Sequence, residues 1–152
     1  MADASAPLRR GVLAILLLGS LGSGIELILL EHYEDTWQYL PLVLLATAVV
    51  ILTWNLFAPD GRSVRTLRAL MALFVITGVA GVGLHFRGAA EFQAEMDPGQ
   101  SRWTLITKSL HAKAPPVLAP GLMVQVGLLG LLSTYRHPAL AGGAGRVSAI
   151  ER

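Results

Sequence analysis

The chain contains no cysteine, which excludes disulfides, thiolate metal sites and thiol nucleophiles. Charge is also scarce. Asp, Glu, Lys and Arg make up 14% of the 152 residues, against about a quarter in a soluble domain. The formal net charge of +2 is small, and the basic residues are scattered between apolar runs. Nucleic acid is therefore not an expected partner. No HExxH, GxSxG or phosphate-binding glycine loop occurs. The glycines of "GVAGVGLHF" (residues 78–86) lie inside an apolar run, where they serve helix packing.

What the chain does have is long apolar sequence. It is 53% hydrophobic, with a mean hydropathy of +0.57, and its length suits one domain. A membrane-spanning helix needs about 20 mostly apolar residues. Four stretches qualify, at residues 11–30, 40–57, 69–86 and 117–135. They are too long for strands and lack strict alternation. Helices also satisfy their own backbone in lipid. Pro41 falls in the first turn of the second span, where a missing N–H costs least. Arg9 and Arg10 precede the first run, as in a signal peptide. That run, however, is longer than an h-region of about 7–15 residues, and no A-x-A site follows it. The expected fold is all-α: a four-helix transmembrane bundle over residues 1–138, followed by a flexible cytoplasmic tail at 139–152.

Positive residues set orientation. Arg9 and Arg10, then Arg62, Arg65 and Arg68, then Arg136, Arg146 and Arg152 occupy segments that four spans place on one side. That side should be the cytoplasm, with both termini. The loop at residues 31–39 has no Lys or Arg and faces outward, as does the long loop at 87–116. In that loop "AAEFQAEM" aligns Ala89, Phe92 and Met96 on one helical face, and "SRWTLITKSLHAK" aligns Trp103, Ile106 and Leu110. Two short amphipathic helices are expected there, separated by the turn "DPG".

The polar exceptions carry the functional argument. Glu26 lies about 6 Å inside the outer end of span one, at about 1.5 Å per residue. An ionised carboxylate there should face the bundle interior, find a partner or take up a proton. Ser23, Gly22 and Gly19 share its face. His85 stands above Gly81 and Gly78 on span three, and Gln125 one turn from Gly121 on span four. These stripes permit close helix approach and suggest that Glu26, His85 and Gln125 point inward together. Such a trio serves either as a hydrogen-bond network that fixes packing or as a site that handles protons or ions.

Glu31, His32, Glu34 and Asp35 gather just outside span one, and Glu91, Glu95 and His111 lie on the same side. Oxygen and imidazole donors suit a divalent metal ion, although the spacing matches no specific signature. The candidate site is Glu26, His32, Asp35, His85, Glu91, Glu95 and His111, with Gln125 in support. His32 and His85 also form the one outer pair that a haem could use, a weaker fit because His32 follows the apolar run. The expected function is a metal-binding or accessory membrane protein in the cell membrane, its partners the bilayer and a second copy or a larger complex. Two alternatives remain open: a structural subunit, and a proton-coupled transporter using Glu26. In layout alone the chain resembles small multidrug transporters, which also have four spans and a membrane glutamate in the first. Their aromatic residues before that glutamate are missing here, and the long outer loop is a further departure.

Overall fold

A computed structural model of the protein describes residues 5–111 and 118–141. These residues form helices α1 (Ala6–Leu29), α2 (Tyr39–Phe57), α3 (Gly61–Met96), α4 (Arg102–Leu110), α5 (Leu118–Ser133) and α6 (Pro138–Ala141), with a 3-10 turn over Thr36–Gln38. There is no strand among the described residues. Three helical segments, Ala6–Leu29, Thr36–Phe57 and Gly61–Met96, are long and apolar enough to cross a membrane. α5 is apolar but shorter, at 16 residues. Val117, the first residue of the expected fourth span, lies outside the described residues.

α3 differs from the expectation. The separate helix expected over residues 89–96 is instead the end of α3, which runs unbroken through 36 residues. At about 1.5 Å per residue α3 is about 54 Å long, well beyond a hydrocarbon core of about 30 Å. Nothing between Arg87 and Met96 is strong enough to break it, since an isolated glycine such as Gly88 costs only about 1 kcal/mol. Pro98 stops it, because the residue before a proline is pushed out of the helical region. The second expected helix is present as α4. Ser101 caps it by accepting a hydrogen bond from the Thr104 N–H at 3.2 Å. The expected tail is also partly structured, because α6 occupies Pro138–Ala141; residues 142–152 lie outside the described residues.

The chain divides into two compact units. The first comprises Met1–Leu73 and Val126–Arg152, the second Phe74–Gln125. In the first, α1 packs on α2. α1 buries Leu13, Leu16 and Ser20, and α2 buries Leu44, Leu45, Ala48, Leu52 and Asn55, each set at helical spacing. On α3, Val64, Leu67, Leu70 and Met71 are buried as well. Gly130 of α5 faces Met71 so closely that an added Cβ would overlap its side chain. In the second unit the seam is glycine on proline. A Cβ on Gly78 would lie 2.8 Å from the Pro120 carbonyl oxygen and 2.9 Å from the Val124 nitrogen, and one on Gly81 would lie 2.9 Å from the Pro120 Cβ. Here the small-residue stripe expected on span three does allow close approach.

Burial is limited. Within the most apolar window of each spanning-length helix, 17%, 28% and 22% of residues are buried inside the chain. Large apolar side chains such as Leu18, Val50 and Ile76 stand exposed.

Candidate functional site

The candidate residues fall in both units and are described unit by unit. In the first, α1 ends in a Schellman motif. The Glu31 N–H donates to the Ile28 carbonyl at 3.0 Å and the His32 N–H to the Leu27 carbonyl at 2.9 Å, while Glu31 takes the left-handed position with φ 52°. The turn that follows is held by Gln38, whose Oε1 accepts from the Glu34 N–H at 2.8 Å and the Asp35 N–H at 3.2 Å. This turn leaves the side chains of Glu31, Glu34 and Asp35 exposed, with His32 half-buried.

Glu26 is also exposed. The face of α1 that packs on α2 carries Leu13, Leu16 and Ser20. Glu26 lies about 120° around the helix from Ser20, at about 3.6 residues per turn. The stripe below it is open, since an added Cβ on Gly19 or Gly22 would meet nothing within 4 Å. The expectation that this stripe is a packing seam with Glu26 turned inward is therefore not met. The packed small residues of α1 are Ser20 and Gly24, where an added Cβ would lie 4.0 Å from the Leu45 Cβ.

In the second unit His85 is exposed, although Gly78 and Gly81 on its helix are packed. Gln125 is exposed as well. Glu91 accepts from Arg87 Nε at 2.7 Å. Glu95 is exposed without an ion pair among the described residues. His111 Nδ1 lies 2.8 Å from the Thr107 carbonyl oxygen. A carbonyl only accepts, so that nitrogen carries hydrogen and Nε2 is the one left for other partners. Among the described residues, no group of three or more His, Asp and Glu side chains could hold a metal ion. Within each unit, the donors proposed for a metal or haem do not form such a group.

Two polar clusters of the first unit were not singled out as sites by the sequence. One joins α2 to α3. Asp60 Oδ1 accepts from the Ser63 N–H at 2.6 Å, and Ser63 Oγ accepts from the Asp60 N–H at 2.9 Å, a reciprocal arrangement of the capping-box kind. Asn55, 4% exposed, donates through Nδ2 to the Ile51 carbonyl at 2.9 Å and the Ser63 carbonyl at 3.1 Å. The Ser63 N–H holds the Asp60 carboxyl below its ordinary pKa, against a smaller opposing effect of burial. The spacing "DGRS" after Pro59 was the available signal.

The other cluster is the arginine end. Arg9 of α1 donates through Nη2 to the Tyr135 carbonyl at 3.2 Å and the Arg136 carbonyl at 3.5 Å. These are orphan carbonyls just past the last turn of α5, where a cation also suits the helix dipole. Gly61 at the start of α3 faces α6, with the Ala139 carbonyl oxygen 2.9 Å from where its Cβ would stand. The start of α1, the start of α3 and the end of α5 therefore meet at one end of the first unit. Glu31, Glu34 and Asp35 mark the other end. Comparison with protein families, curated proteins and solved structures returned no match.

Proposed function

We propose that the chain is an integral membrane protein of four spans, α5 being the fourth, that acts as an accessory or structural component of a membrane assembly. The observation that carries this reading is the low burial of its apolar helices, at 17%, 28% and 22% of the most apolar windows. Surfaces so apolar and so poorly covered by their own chain need lipid or other helices against them. Segregation of charge supports an orientation, with the arginine end cytoplasmic and the acidic turn outside. Donors that are not gathered give less support to a metal site. An outward-facing Glu26 on an open glycine face gives less to a proton-coupled pathway inside one chain.

The absence of native cysteine makes the test direct. Single-cysteine variants Glu34→Cys and Arg62→Cys are treated with a membrane-impermeant maleimide in intact expressing cells. Glu34→Cys should label at once, and Arg62→Cys only after the membranes are opened. The reverse pattern overturns the orientation, and recovery of the chain in the soluble fraction overturns the membrane reading. Photo-crosslinking from Val50 and Ile76, both exposed, tests the assembly role: protein adducts support it, and lipid adducts alone at both positions count against it.

A further inference from the structure

We propose that the arginine end of the first unit is a headgroup site for an anionic phospholipid, an inference that rests on the membrane reading above. Contacts between elements bring the cations together. Arg9 binds the carbonyls of Tyr135 and Arg136, and Gly61 lies against the Ala139 carbonyl of α6. The Arg65 guanidinium folds back over Gly61, with Nη1 3.4 Å from where a Cβ would stand. Arg62, Arg65 and Arg68 leave α3 within its first turns, and all three are exposed, as are Arg10 and Arg136. Against these cations Asp60 is the one carboxylate described at this end, and it is engaged as the cap of α3. Arg65 and Arg68 have no ion pair among the described residues.

Arg136 adds an independent observation. Its φ is 47°, a left-handed position that glycine takes without strain. The chain instead holds a guanidinium there, 5.5 Å from the centroid of the Tyr135 ring. Backbone strain of this kind concentrates where a side chain has a task.

The exposed surface next to the arginines favours a lipid over a free anion. Leu8, Phe57, Leu132 and Tyr135 belong to the same helix ends and are 71%, 78%, 67% and 59% exposed. One anionic lipid satisfies both surfaces, its phosphodiester meeting the guanidinium groups and its acyl chains lying along the apolar side chains. A soluble phosphate gains only the first.

The test is native mass spectrometry of the detergent-solubilised full chain with phosphatidylglycerol or phosphatidylcholine. Each arginine near an anionic surface favours it about fivefold. Wild type should therefore retain phosphatidylglycerol in preference by about tenfold or more. Arg65→Gln/Arg68→Gln should lose most of that preference and Arg65→Lys/Arg68→Lys keep most of it, while millimolar inorganic phosphate should displace nothing. Arg62→Gln/Arg68→Gln serves as a second neutralising pair should the first not fold. Equal retention of the two lipids, an undiminished preference in the neutralised variants, or displacement by inorganic phosphate overturns the proposal. Failure of the membrane reading is separate, since it shows as a chain that fractionates with soluble protein. A membrane-integrated chain indifferent to headgroup charge sinks only this inference.

Discussion

Glu31 and Arg136 hold the same unusual backbone position at opposite ends of the first unit. They are the two non-glycine residues with positive φ among those described, at 52° and 47°. Each follows a helix end, Glu31 after α1 and Arg136 after α5, and each carries the charge sign of its own end. A left-handed position costs a residue with a side chain about 1–2 kcal/mol. Glu31→Gly and Arg136→Gly should therefore each stabilise the fold, by about 0.5–1 kcal/mol once the added freedom of the unfolded glycine is subtracted. Thermal unfolding in detergent reads the change. A lowered midpoint in both variants would show that the side chains hold these turns together.

The Asp60 cap sets an acid sensitivity. Its carboxyl pKa is lowered in the folded chain by the Ser63 N–H. A depressed carboxyl pKa stabilises above the unfolded value and is lost as pH falls through the folded one. The window therefore lies below the ordinary value of 3.8. Asp60→Asn keeps an acceptor for the Ser63 N–H but cannot titrate. Unfolding midpoints followed from pH 6 downward should diverge only in that acid range, the wild type falling more steeply. Parallel curves would remove Asp60 as the source.

Gly78 and Gly22 should answer differently to the same methyl group. At Gly78 it meets backbone atoms of Pro120 and Val124 at 2.8 and 2.9 Å, which cannot swing aside. At Gly22 it meets nothing within 4 Å. Gly78→Ala should cost about 1–3 kcal/mol through overpacking, whereas Gly22→Ala should be neutral or gain up to about 1 kcal/mol of helix propensity. Equal stability of the two variants would mean that the seam on Pro120 is not closed in the folded protein.

Glu26→Gln tests the carboxylate that the sequence placed at the centre. On an exposed helix face, loss of its charge should change stability by less than about 0.5 kcal/mol. A loss above about 2 kcal/mol would show that the carboxylate is engaged after all, by a partner outside the chain or by a rearranged helix.

The helices themselves were legible because long apolar runs without alternation admit little else. The polar faces were not. The stripe of Gly19, Gly22 and Glu26 and the stripe of Gly78, Gly81 and His85 look alike on a helical wheel. One is open and the other is closed on Pro120, and only tertiary packing distinguishes them. Periodicity shows which residues share a face, not which face a neighbour takes. The same limit explains α4. The spacing aligns Trp103, Ile106 and Leu110 on one apolar face of α4. That face is exposed, while the small Ser109 beside it is buried and donates to the Leu105 carbonyl at 2.7 Å. The continuation of α3 through residues 87–96 left a readable trace in the Arg87–Glu91 spacing of four and in the absence of any proline before Pro98.

The connection between α2 and α3 constrains how the chain can be threaded during synthesis. Residues 58–60 reach at most about 10 Å when fully extended, and Asn55 ties the two helix ends at 3.1 Å. Such a link cannot cross the thickness of a bilayer. On the membrane reading proposed above, the second and third apolar segments enter as one helical hairpin, and neither inverts unless the other inverts with it.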